Sequence, residues 1–258
     1  MPFMIINDPK EISFLRQGGR ILVTILNLVA SQAKAGTASY DLDYLAEQEI
    51  RKCGGIPAFK NYRARKRDPA FPSSLCVSVN DEVVHGIPTK NKILKSGDIV
   101  GLDLGVLYQG FYTDAALTIP IGEVDQTSLK LIAAAKECLN KAIKIIKPGK
   151  FTGDIGAIIE STAQKYGFVV VRELVGHGVG WAVHEEPEIP CFGKVGTGTK
   201  LVEGMVIAVE PMINEKGWKV IFNEDRWTIK TQDGGRSAHM EHTLLVTKNG
   251  CEILTNMV

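Results

Sequence analysis

Near its N-terminus the sequence lacks a continuous apolar run long enough to cross a membrane. The longest one near the N-terminus, residues 21–30, is shorter than the roughly 20 residues that a membrane helix needs, and it contains the polar residues Thr24 and Asn27. No small-residue cleavage site follows it, which argues against a secretion signal. We therefore expect a soluble, unprocessed cytoplasmic protein that has no membrane partner.

An excess of charge of one sign is also missing. The 258 residues include 30 Lys and Arg against 29 Asp and Glu, so the formal net charge is +1 and gives no general attraction to nucleic acid or membranes. The basic run RARKR at residues 63–67 is closed by Asp68 and Pro69, and no alternation with aromatic residues extends it. We interpret it as a solvated loop and expect no specific nucleic-acid partner.

Paired cysteines are absent. The five Cys residues are odd in number and widely scattered, and they form neither a C-x-x-C pair nor a close metal-ligand spacing. This pattern favours free thiols in a reducing cytosol over a disulfide framework.

Several catalytic and nucleotide-binding motifs are missing as well. There is no H-E-x-x-H helix and no G-x-S-x-G turn. The stretch around Gly196 and Gly198 lacks the spacing and the lysine-hydroxyl ending of a P-loop. VGHGVGW at residues 175–181 lacks the acidic residue and the βαβ context of a dinucleotide site.

The sequence does contain alternating blocks of helical and strand patterning. With 45% hydrophobic residues, the chain can bury a large core, in one domain or two. Apolar periodicity and capping residues predict helices over residues 8–33, 39–53, 125–146 and 152–166. Strands are predicted over residues 75–79 and 82–87, in a hairpin at 97–118, and from the fourth helix to the C-terminus.

The hairpin GDIVGLDLGVLYQGFYTDAALT carries one aspartate in each of its two apolar runs. In an antiparallel hairpin with a two- or four-residue loop, Asp103 and Asp114 fall on one face of the sheet. Two unpaired carboxylates there would repel each other and would be costly to desolvate, so we expect a divalent cation between them. Two solvated aspartates on an open sheet face are the alternative.

The order of helices and strands repeats, and the sequence repeats with it. KAGTASYDLDYLAEQEIRKCGG at residues 34–55 aligns without gaps with KPGKFTGDIGAIIESTAQKYGF at residues 147–168. In the strands, Glu210 aligns with Asp103, and Glu241 aligns with Asp114 after one extra residue. We predict two ααββ halves, roughly residues 8–122 and 123–250, whose pseudo-twofold axis brings four carboxylates together. A chance alignment is the alternative.

The histidines lie in or beside these strands. His177, between glycines that leave room around its imidazole, is the natural nitrogen ligand for the carboxylates, although a lone histidine is more often structural. Only Ser78 stands near its counterpart in the first half. His85 and His184 are repeat counterparts, and we expect one on either side of a cleft as donors to a substrate. Ordinary core histidines are the alternative for both.

Two further histidines flank Glu241. His239 shares its face of the strand, so we predict that it touches the site as an outer or auxiliary ligand, whereas His242 alternates away and is predicted to be structural. Four carboxylates and one imidazole are many ligands for one zinc ion but suit two adjacent divalent ions, which together lower the pKa of a water and polarise a carbonyl. The residues alone therefore predict a dinuclear metallohydrolase.

At these motifs the sequence resembles the type I methionine aminopeptidases of peptidase family M24, and the resemblance covers nearly the whole chain. The matching stretches are VVHGIP around His85, LDLGVLYQGFYTDAALT with Asp103 and Asp114, VGHGVGWAVHEEP with His177 and His184, VIAVEP with Glu210, and SAHMEHTLLV with Glu241. The resemblance implies an α+β pita-bread fold. In that fold a single catalytic domain, residues 1–258, has a central curved, mostly antiparallel sheet backed by helices.

The resemblance also implies a role for each site residue. It implies two divalent ions, Fe, Mn, Co or Zn, held by five ligands: Asp103, Asp114, His177, Glu210 and Glu241, with Asp114 and Glu241 bridging. His85 would hydrogen-bond the scissile amide nitrogen and His184 the peptide carbonyl, while Glu210 would also move a proton from the attacking water. The pocket for a methionine side chain would draw on Phe59, Tyr62, Phe71, Cys76 and Trp227.

The implied function is removal of the initiator methionine from nascent polypeptides when the next residue is small, by a cytoplasmic monomer. A transient contact with the ribosome is left open. An X-Pro aminopeptidase or dipeptidase of the same fold is a rival, although such enzymes usually carry an N-terminal domain not found in this sequence. A non-catalytic binding protein of this fold is another, and the intact ligand set argues against it.

Three positions depart from the pattern of the resembled family. Residues 63–70 lengthen the connection between Tyr62 and Phe71, two residues of the implied pocket. His239 stands where glutamine is common, and Val183 where many members have a larger apolar residue.

Overall fold

Helices and strands follow one another in two rounds along the chain. The structure is a computed structural model that describes residues 4–256. Its helices in that range are α1 (Pro9–Gln32), α2 (Ser39–Lys52), α3 (Gln126–Ile145) and α4 (Thr152–Lys165).

The strands of the first half are β1 (Ile56–Pro57), β2 (Leu75–Val79), β3 (Glu82–Val84), β4 (Ile99–Tyr108) and β5 (Phe111–Pro120). Those that follow α4 are β6 (Val169–Val170), β7 (Val175–Gly178), β8 (Glu185–Pro190), β9 (Val206–Val209), β10 (Met212–Asn214), β11 (Val220–Phe222), β12 (Ile229–Thr231), β13 (Ser237–His239), β14 (His242–Thr247) and β15 (Gly250–Ile253).

The predicted helices are confirmed to within two residues at each end. α1 begins where the sequence indicates, because the Asp8 side chain accepts a hydrogen bond from the Lys10 backbone N–H at 2.8 Å and Pro9 occupies the first turn. α3 begins in the same way, with the Asp125 side chain accepting from Ser128 N–H at 2.8 Å.

The predicted hairpin is β4–β5, and its turn has the geometry that its residues favour. Tyr108 pairs with Phe111, so the loop has two residues, Gln109 and Gly110, whose φ angles are 51° and 90°. Two consecutive positive φ angles are typical of a type I′ turn, which follows the twist of the strands.

The predicted strand at 82–87 is wrong at its C-terminal end, since β3 stops at Val84. His85 adopts a left-handed conformation with φ of 57°, which ends the extended backbone. The next residue, Gly86, lies so close to β2 that a Cβ atom there would be 2.3 Å from the Val77 carbonyl oxygen. This sharp turn places His85 at the end of a strand instead of within one.

Two antiparallel sheets form the centre of the molecule. In one, β4 pairs with β5 along one edge and with β1 and β2 along the other. In the other, the strand order is β15-β14-β9-β7-β8. They meet where β5 crosses the start of β14, since Glu241 N–H donates to the Ala116 carbonyl at 2.9 Å and Asp114 N–H donates to Thr243 Oγ1 at 2.8 Å.

Helices cover one face of each sheet. α1 and α2 pack on the first, where Leu26 and Ala46 join Leu102 in a buried cluster. α3 and α4 pack on the second, where Leu131 joins Ile207. Because side chains alternate along a strand, the residues next to these core positions point to the opposite face, away from the helices.

Helix α1 is long and apolar enough to cross a membrane by length and composition alone. In the structure it is instead a core helix, because Leu22, Leu26 and Val29 are fully buried against the first sheet. Its Gly19 packs so tightly on the C-terminal strand region that a Cβ atom would be 2.1 Å from the Leu254 carbonyl oxygen.

Candidate active site

The β4–β5 hairpin carries the first two carboxylates on the face that the helices leave free. Asp103 pairs with Ala116 and Gly105 pairs with Asp114, so the two aspartates lie on one face, two residues apart along the ladder. Both are buried. The predicted geometry of this hairpin is therefore confirmed.

The second half brings the other predicted ligands to the same place. His177 on β7 pairs with Ala208 on β9, and Glu210 directly follows β9. Glu241 directly precedes β14 and is joined to β5 by its backbone hydrogen bond. Gly178, beside His177, allows a close approach of β8, since a Cβ atom there would be 2.0 Å from the Glu186 carbonyl oxygen.

Burial raises the pKa of three of these carboxylates, those of Asp103, Asp114 and Glu241. Burial, with repulsion from Glu210 adding to it, raises the pKa of Asp103 to about 6. Burial and the neighbouring Asp103 and Glu210 carboxylates raise the pKa of Asp114 well above its usual range, and burial together with Asp114 and Glu210 does the same for Glu241. Within residues 4–256, Asp103 Oδ1, Asp114 Oδ1 and Glu241 Oε1 are buried without any hydrogen-bond partner.

Unpartnered buried oxygens next to an imidazole are a donor set for a hard or borderline cation. Asp114, His177 and Glu241 each offer a ligand atom, and these three atoms all lie within 4.8 Å of one another. A divalent ion would satisfy the orphaned oxygens and offset their mutual repulsion. The residues present therefore fit a metal.

Two more histidines stand beside the carboxylates in a neutral state at pH 7. Burial lowers the pKa of His85 to about 4, and burial with the neighbouring His177 and His85 lowers the pKa of His184 well below its usual range. The Nδ1 atom of His184 is 2.7 Å from the Tyr62 hydroxyl, and its ring centre is 4.4 Å from that of His177. The His85 ring meets the Trp227 ring edge-to-face at 6.2 Å.

A cavity of about 350 Å³ connects these groups with an apolar wall. Phe71 and Trp227 meet edge-to-face at 5.3 Å in that wall. The cavity is lined by Phe59, Tyr62, Ala64, Phe71, Cys76, His85, Asp103, Asp114, His177, His184, Glu210, Trp227 and Glu241. The lining thus includes all twelve residues that the resemblance assigns to the site and adds Ala64, which offers no chemistry that a sequence pattern would reveal.

The long connection at residues 63–70 does not separate its two pocket residues. Asn61 N–H donates to the Phe71 carbonyl and Phe71 N–H donates to the Tyr62 carbonyl, both at 2.8 Å, so the base of the loop is closed. Its basic side chains are exposed, and none forms an ion pair within the described part of the chain. Val183 is buried in one apolar cluster with Phe59, Phe71 and Cys76 and is not among the residues that line the cavity.

Near the site, Glu185 has a role that the sequence did not predict, and His239 has a different neighbour from the predicted one. The Glu185 carboxylate accepts hydrogen bonds from Ala182 N–H at 2.6 Å and Met4 N–H at 3.1 Å, which fixes the loop before His184. The pair of glutamates after His184 is the only sequence signal for it. His239, predicted to lie against Glu241, is nearer to Glu210, with its Nε2 atom 3.3 Å from Oε2.

A profile of metallopeptidase family M24 matches residues 13–248. The chain belongs to metallopeptidase family M24. Among its M24 relatives, the methionine aminopeptidase of Clostridium acetobutylicum is 42% identical over 252 residues, covering 98% of each chain. The methionine aminopeptidase of Aquifex aeolicus is 42% identical over 250 residues, covering 96% of this chain and 97% of that protein.

The chain is also similar to solved structures. The crystal structure of methionine aminopeptidase from Thermotoga maritima has a TM-score of 0.93 at 44% identity, covering 98% of this chain and 99% of that one. The Xaa-Pro dipeptidase from Bacillus anthracis has a TM-score of 0.78 at 21% identity, and the match covers 98% of this chain but 62% of the dipeptidase. The second likeness shows the fold alone.

The resemblance to type I methionine aminopeptidases and the α+β pita-bread fold are thereby confirmed. As an M24 metallopeptidase, the protein is a hydrolase and a metalloenzyme, in agreement with the buried cluster that can hold a cation.

Proposed function

We propose that this M24 metallopeptidase removes the initiator methionine from nascent polypeptides whose second residue is small. The observation that carries the proposal is the cavity, whose lining includes every residue that the resemblance assigns to metal, catalysis or the methionine pocket. Near full-length similarity to methionine aminopeptidases supports it further.

The metal centre is proposed to hold two divalent ions, Fe, Mn, Co or Zn. Asp103, Asp114, His177, Glu210 and Glu241 would hold these ions. Four carboxylates supply the negative charge that two such ions require, and the raised pKa values of Asp103, Asp114 and Glu241 indicate that these three lack a cation partner within the chain. When bound, the ions supply a water of lowered pKa and polarise the scissile carbonyl.

Three side chains of the protein itself handle the substrate. Glu210 accepts a proton from the attacking water and passes it to the leaving amine. His184 hydrogen-bonds the peptide carbonyl. The Tyr62 hydroxyl at its Nδ1 atom leaves Nε2 free for that contact. His85 hydrogen-bonds the scissile amide nitrogen from the opposite side of the cleft.

The apolar part of the cavity accommodates the methionine side chain. It is lined by Phe59, Tyr62, Phe71, Cys76 and Trp227, and aromatic and sulfur-containing surfaces pack well against a flexible thioether. The protein acts as a cytoplasmic monomer on chains leaving the ribosome. If it contacts the ribosome transiently, the exposed basic loop at residues 63–70 is the segment that we propose for this contact.

A peptide-release assay tests the function. Protein loaded with Mn²⁺ or Co²⁺ is incubated with Met-Ala-Ser, Leu-Ala-Ser, Met-Leu-Ser and Ala-Pro-Ser, and the freed amino acid is quantified. We expect release from Met-Ala-Ser, and little from the peptides with a wrong first residue or a large second one. Preferred cleavage of Ala-Pro-Ser would favour the X-Pro peptidase alternative.

The same assay includes a binding control. A protein that takes up two ions but cleaves none of the peptides would be a non-catalytic member of the fold. A protein that takes up no ion after loading with excess metal would contradict the proposed centre as well.

A further inference from the structure

The Glu210 carboxylate lies between two imidazoles. Its Oε1 atom is 3.4 Å from His177 Nε2, and its Oε2 atom is 3.3 Å from His239 Nε2. The same His239 nitrogen is 3.9 Å from Glu241 Oε2. Each oxygen of Glu210 therefore has a different imidazole neighbour, and His239 is closer to Glu210 than to Glu241.

The two imidazoles occupy different positions relative to the cavity. His177 lines it, whereas His239 does not and is only 4% exposed. The 3.3 Å contact is not well aligned, and His239 Nε2 has no other hydrogen-bond partner among residues 4–256. Among the described residues, the carboxylates that form ion-pair contacts with this nitrogen are those of Glu210 and Glu241.

The backbone of His239 is fixed by the first half of the molecule. Thr118 on β5 accepts a hydrogen bond from His239 N–H and donates one to the His239 carbonyl, both at 2.8 Å, through the same hydroxyl oxygen. On its other side, His239 pairs with Met212 in the β10–β13 ladder. Because the side chain is also buried, the imidazole has little room to move away from Glu210.

We propose that His239 is a positioning residue for Glu210, holding Oε2 from behind so that Oε1 is directed into the cavity. This inference rests on the proposed function, in which Glu210 is both a metal ligand and a proton acceptor. A carboxylate that rotates freely loses conformational entropy each time it binds a metal or accepts a proton. A donor fixed on the side away from the cavity holds the carboxylate in one orientation beforehand and so removes that entropic cost.

The test separates a hydrogen-bond donor from a ligand and from a packing residue. His239→Gln keeps an N–H donor, whereas His239→Leu keeps bulk without one. His242→Gln is the matched control, because His242 lies three residues further along, outside the cavity lining, with its Nδ1 atom 3.2 Å from Thr255 Oγ1. For each variant, Mn²⁺ affinity is measured by titration calorimetry, and kcat and KM are measured with Met-Ala-Ser.

We expect His239→Leu to weaken Mn²⁺ binding and to lower kcat by about 10–100-fold, as is typical when the outer partner of a metal ligand is lost, with KM nearly unchanged. His239→Gln should restore both quantities to within a few-fold of the wild type, and His242→Gln should leave them unchanged. Wild-type affinity and kcat in His239→Leu would overturn the proposal. Equal damage in His239→Gln would overturn it too, because the imidazole would then be a ligand itself.

A second variant covers a His239→Leu protein that fails to fold. Thr118→Val removes only the hydroxyl that fixes the His239 backbone, and it should weaken Mn²⁺ binding in the same direction by a smaller factor; unchanged binding would contradict the proposal. The Mn²⁺ titration also separates the two proposals. If the wild type releases no methionine, the proposed function is wrong. The effect of His239 on Mn²⁺ affinity is still tested, because titration calorimetry measures it without any substrate.

Discussion

Three carboxylates of the site, Asp103, Asp114 and Glu241, each bury one oxygen that has no hydrogen-bond partner within residues 4–256. A buried polar atom without a partner costs about 1–3 kcal/mol, and a charged one costs more. The site is therefore unfavourable for the metal-free chain. Its polar groups are arranged for a cation that the chain does not itself provide.

Asp103→Asn tests this arrangement at a single atom. The amide keeps the size of the side chain but removes its charge, so we expect loss of at least one of the two proposed ions. The fall in kcat/KM should exceed the roughly 100-fold cost of losing an outer partner. Metal content by mass spectrometry and methionine release measure the two effects. Asp41→Asn, at an exposed position on α2, is the control, and two retained ions with normal turnover in Asp103→Asn would refute the ligand assignment.

Among single residues, the sequence reveals those whose functional group interrupts a regular pattern. Asp103 stands out because it interrupts an apolar strand, and Glu210 because it repeats that interruption in the second half. Ala64 and Glu185 do not stand out. Ala64 has no functional group, and Glu185 acts through backbone N–H groups, one of which, that of Met4, is 181 residues away in sequence.

Helix α1 illustrates how elements are positioned by close packing. Its two adjacent glycines face different neighbours: a Cβ at Gly18 would be 3.4 Å from Tyr108 Cβ, and a Cβ at Gly19 would be 2.1 Å from the Leu254 carbonyl oxygen. Hydropathy alone makes α1 resemble a membrane span. The backbone contact at Gly19 is what fits it to a folded core.

A matched pair of substitutions tests this packing. Gly19→Ala should destabilise the protein by about 1–3 kcal/mol, because the clash involves backbone and forces a shift of the helix. Gly18→Ala should be neutral or stabilising by up to about 1 kcal/mol, since alanine is the better helix former and the space is adequate. Urea unfolding measures both, and equal effects of the two substitutions would contradict the packing described.

The start of α3 is held by an ion pair with a defined pH range. The Asp125 side chain caps the helix and contacts the Arg236 guanidinium, which, with the Ser128 N–H, lowers the pKa of Asp125 from 3.8 to about 2. Because the folded-state pKa lies below the unfolded value, this carboxylate contributes stability that is present above about pH 4 and lost as the pH falls toward 2.

Asp125→Asn retains a capping side chain but loses the charge. We expect it to unfold at lower urea concentration than the wild type at pH 6, with a difference that shrinks below pH 4. Arg236→Gln should lower the urea concentration of unfolding with the same pH dependence. The double variant should be no less stable than the less stable of the two single variants. Fully additive effects at pH 6 would show that the two side chains do not act as a pair.

Element prediction from sequence succeeds where the pattern is long and fails where tertiary contacts decide. The β4–β5 hairpin is predictable because its two runs and its Gln-Gly turn agree locally. The strand predicted to reach residue 87 ends at Val84, because His85 takes a left-handed conformation and Gly86 packs on the backbone of β2. No local pattern in EVVHGIP indicates that contact.

The whole molecule places equivalent positions of its two halves on equivalent ladders. Ser78 pairs with Gly101 on β4, two residues before Asp103, and His177 pairs with Ala208 on β9, two residues before Glu210. This shared register supports the predicted division into halves at about residue 122, which stays a prediction. It also locates the asymmetry of the site, because a hydroxyl stands in one half where an imidazole stands in the other.

Because both halves contribute carboxylates, metal binding should stabilise the whole molecule in one cooperative transition. An ion present at about 100 times its Kd adds roughly 2.7 kcal/mol to the free energy of unfolding. For a chain of this size, each kcal/mol raises the midpoint of thermal unfolding by about 2–4 °C. Treatment with a chelator should therefore lower the midpoint of thermal unfolding by roughly 5–10 °C, and added Mn²⁺ should restore it. Calorimetry with and without chelator measures the shift.

Asp41→Asn should show the full shift and Asp103→Asn less than half of it, since one ligand from the first half is then missing. A midpoint insensitive to metal in the wild type, or an equal shift in Asp103→Asn, would contradict a site that joins the two halves.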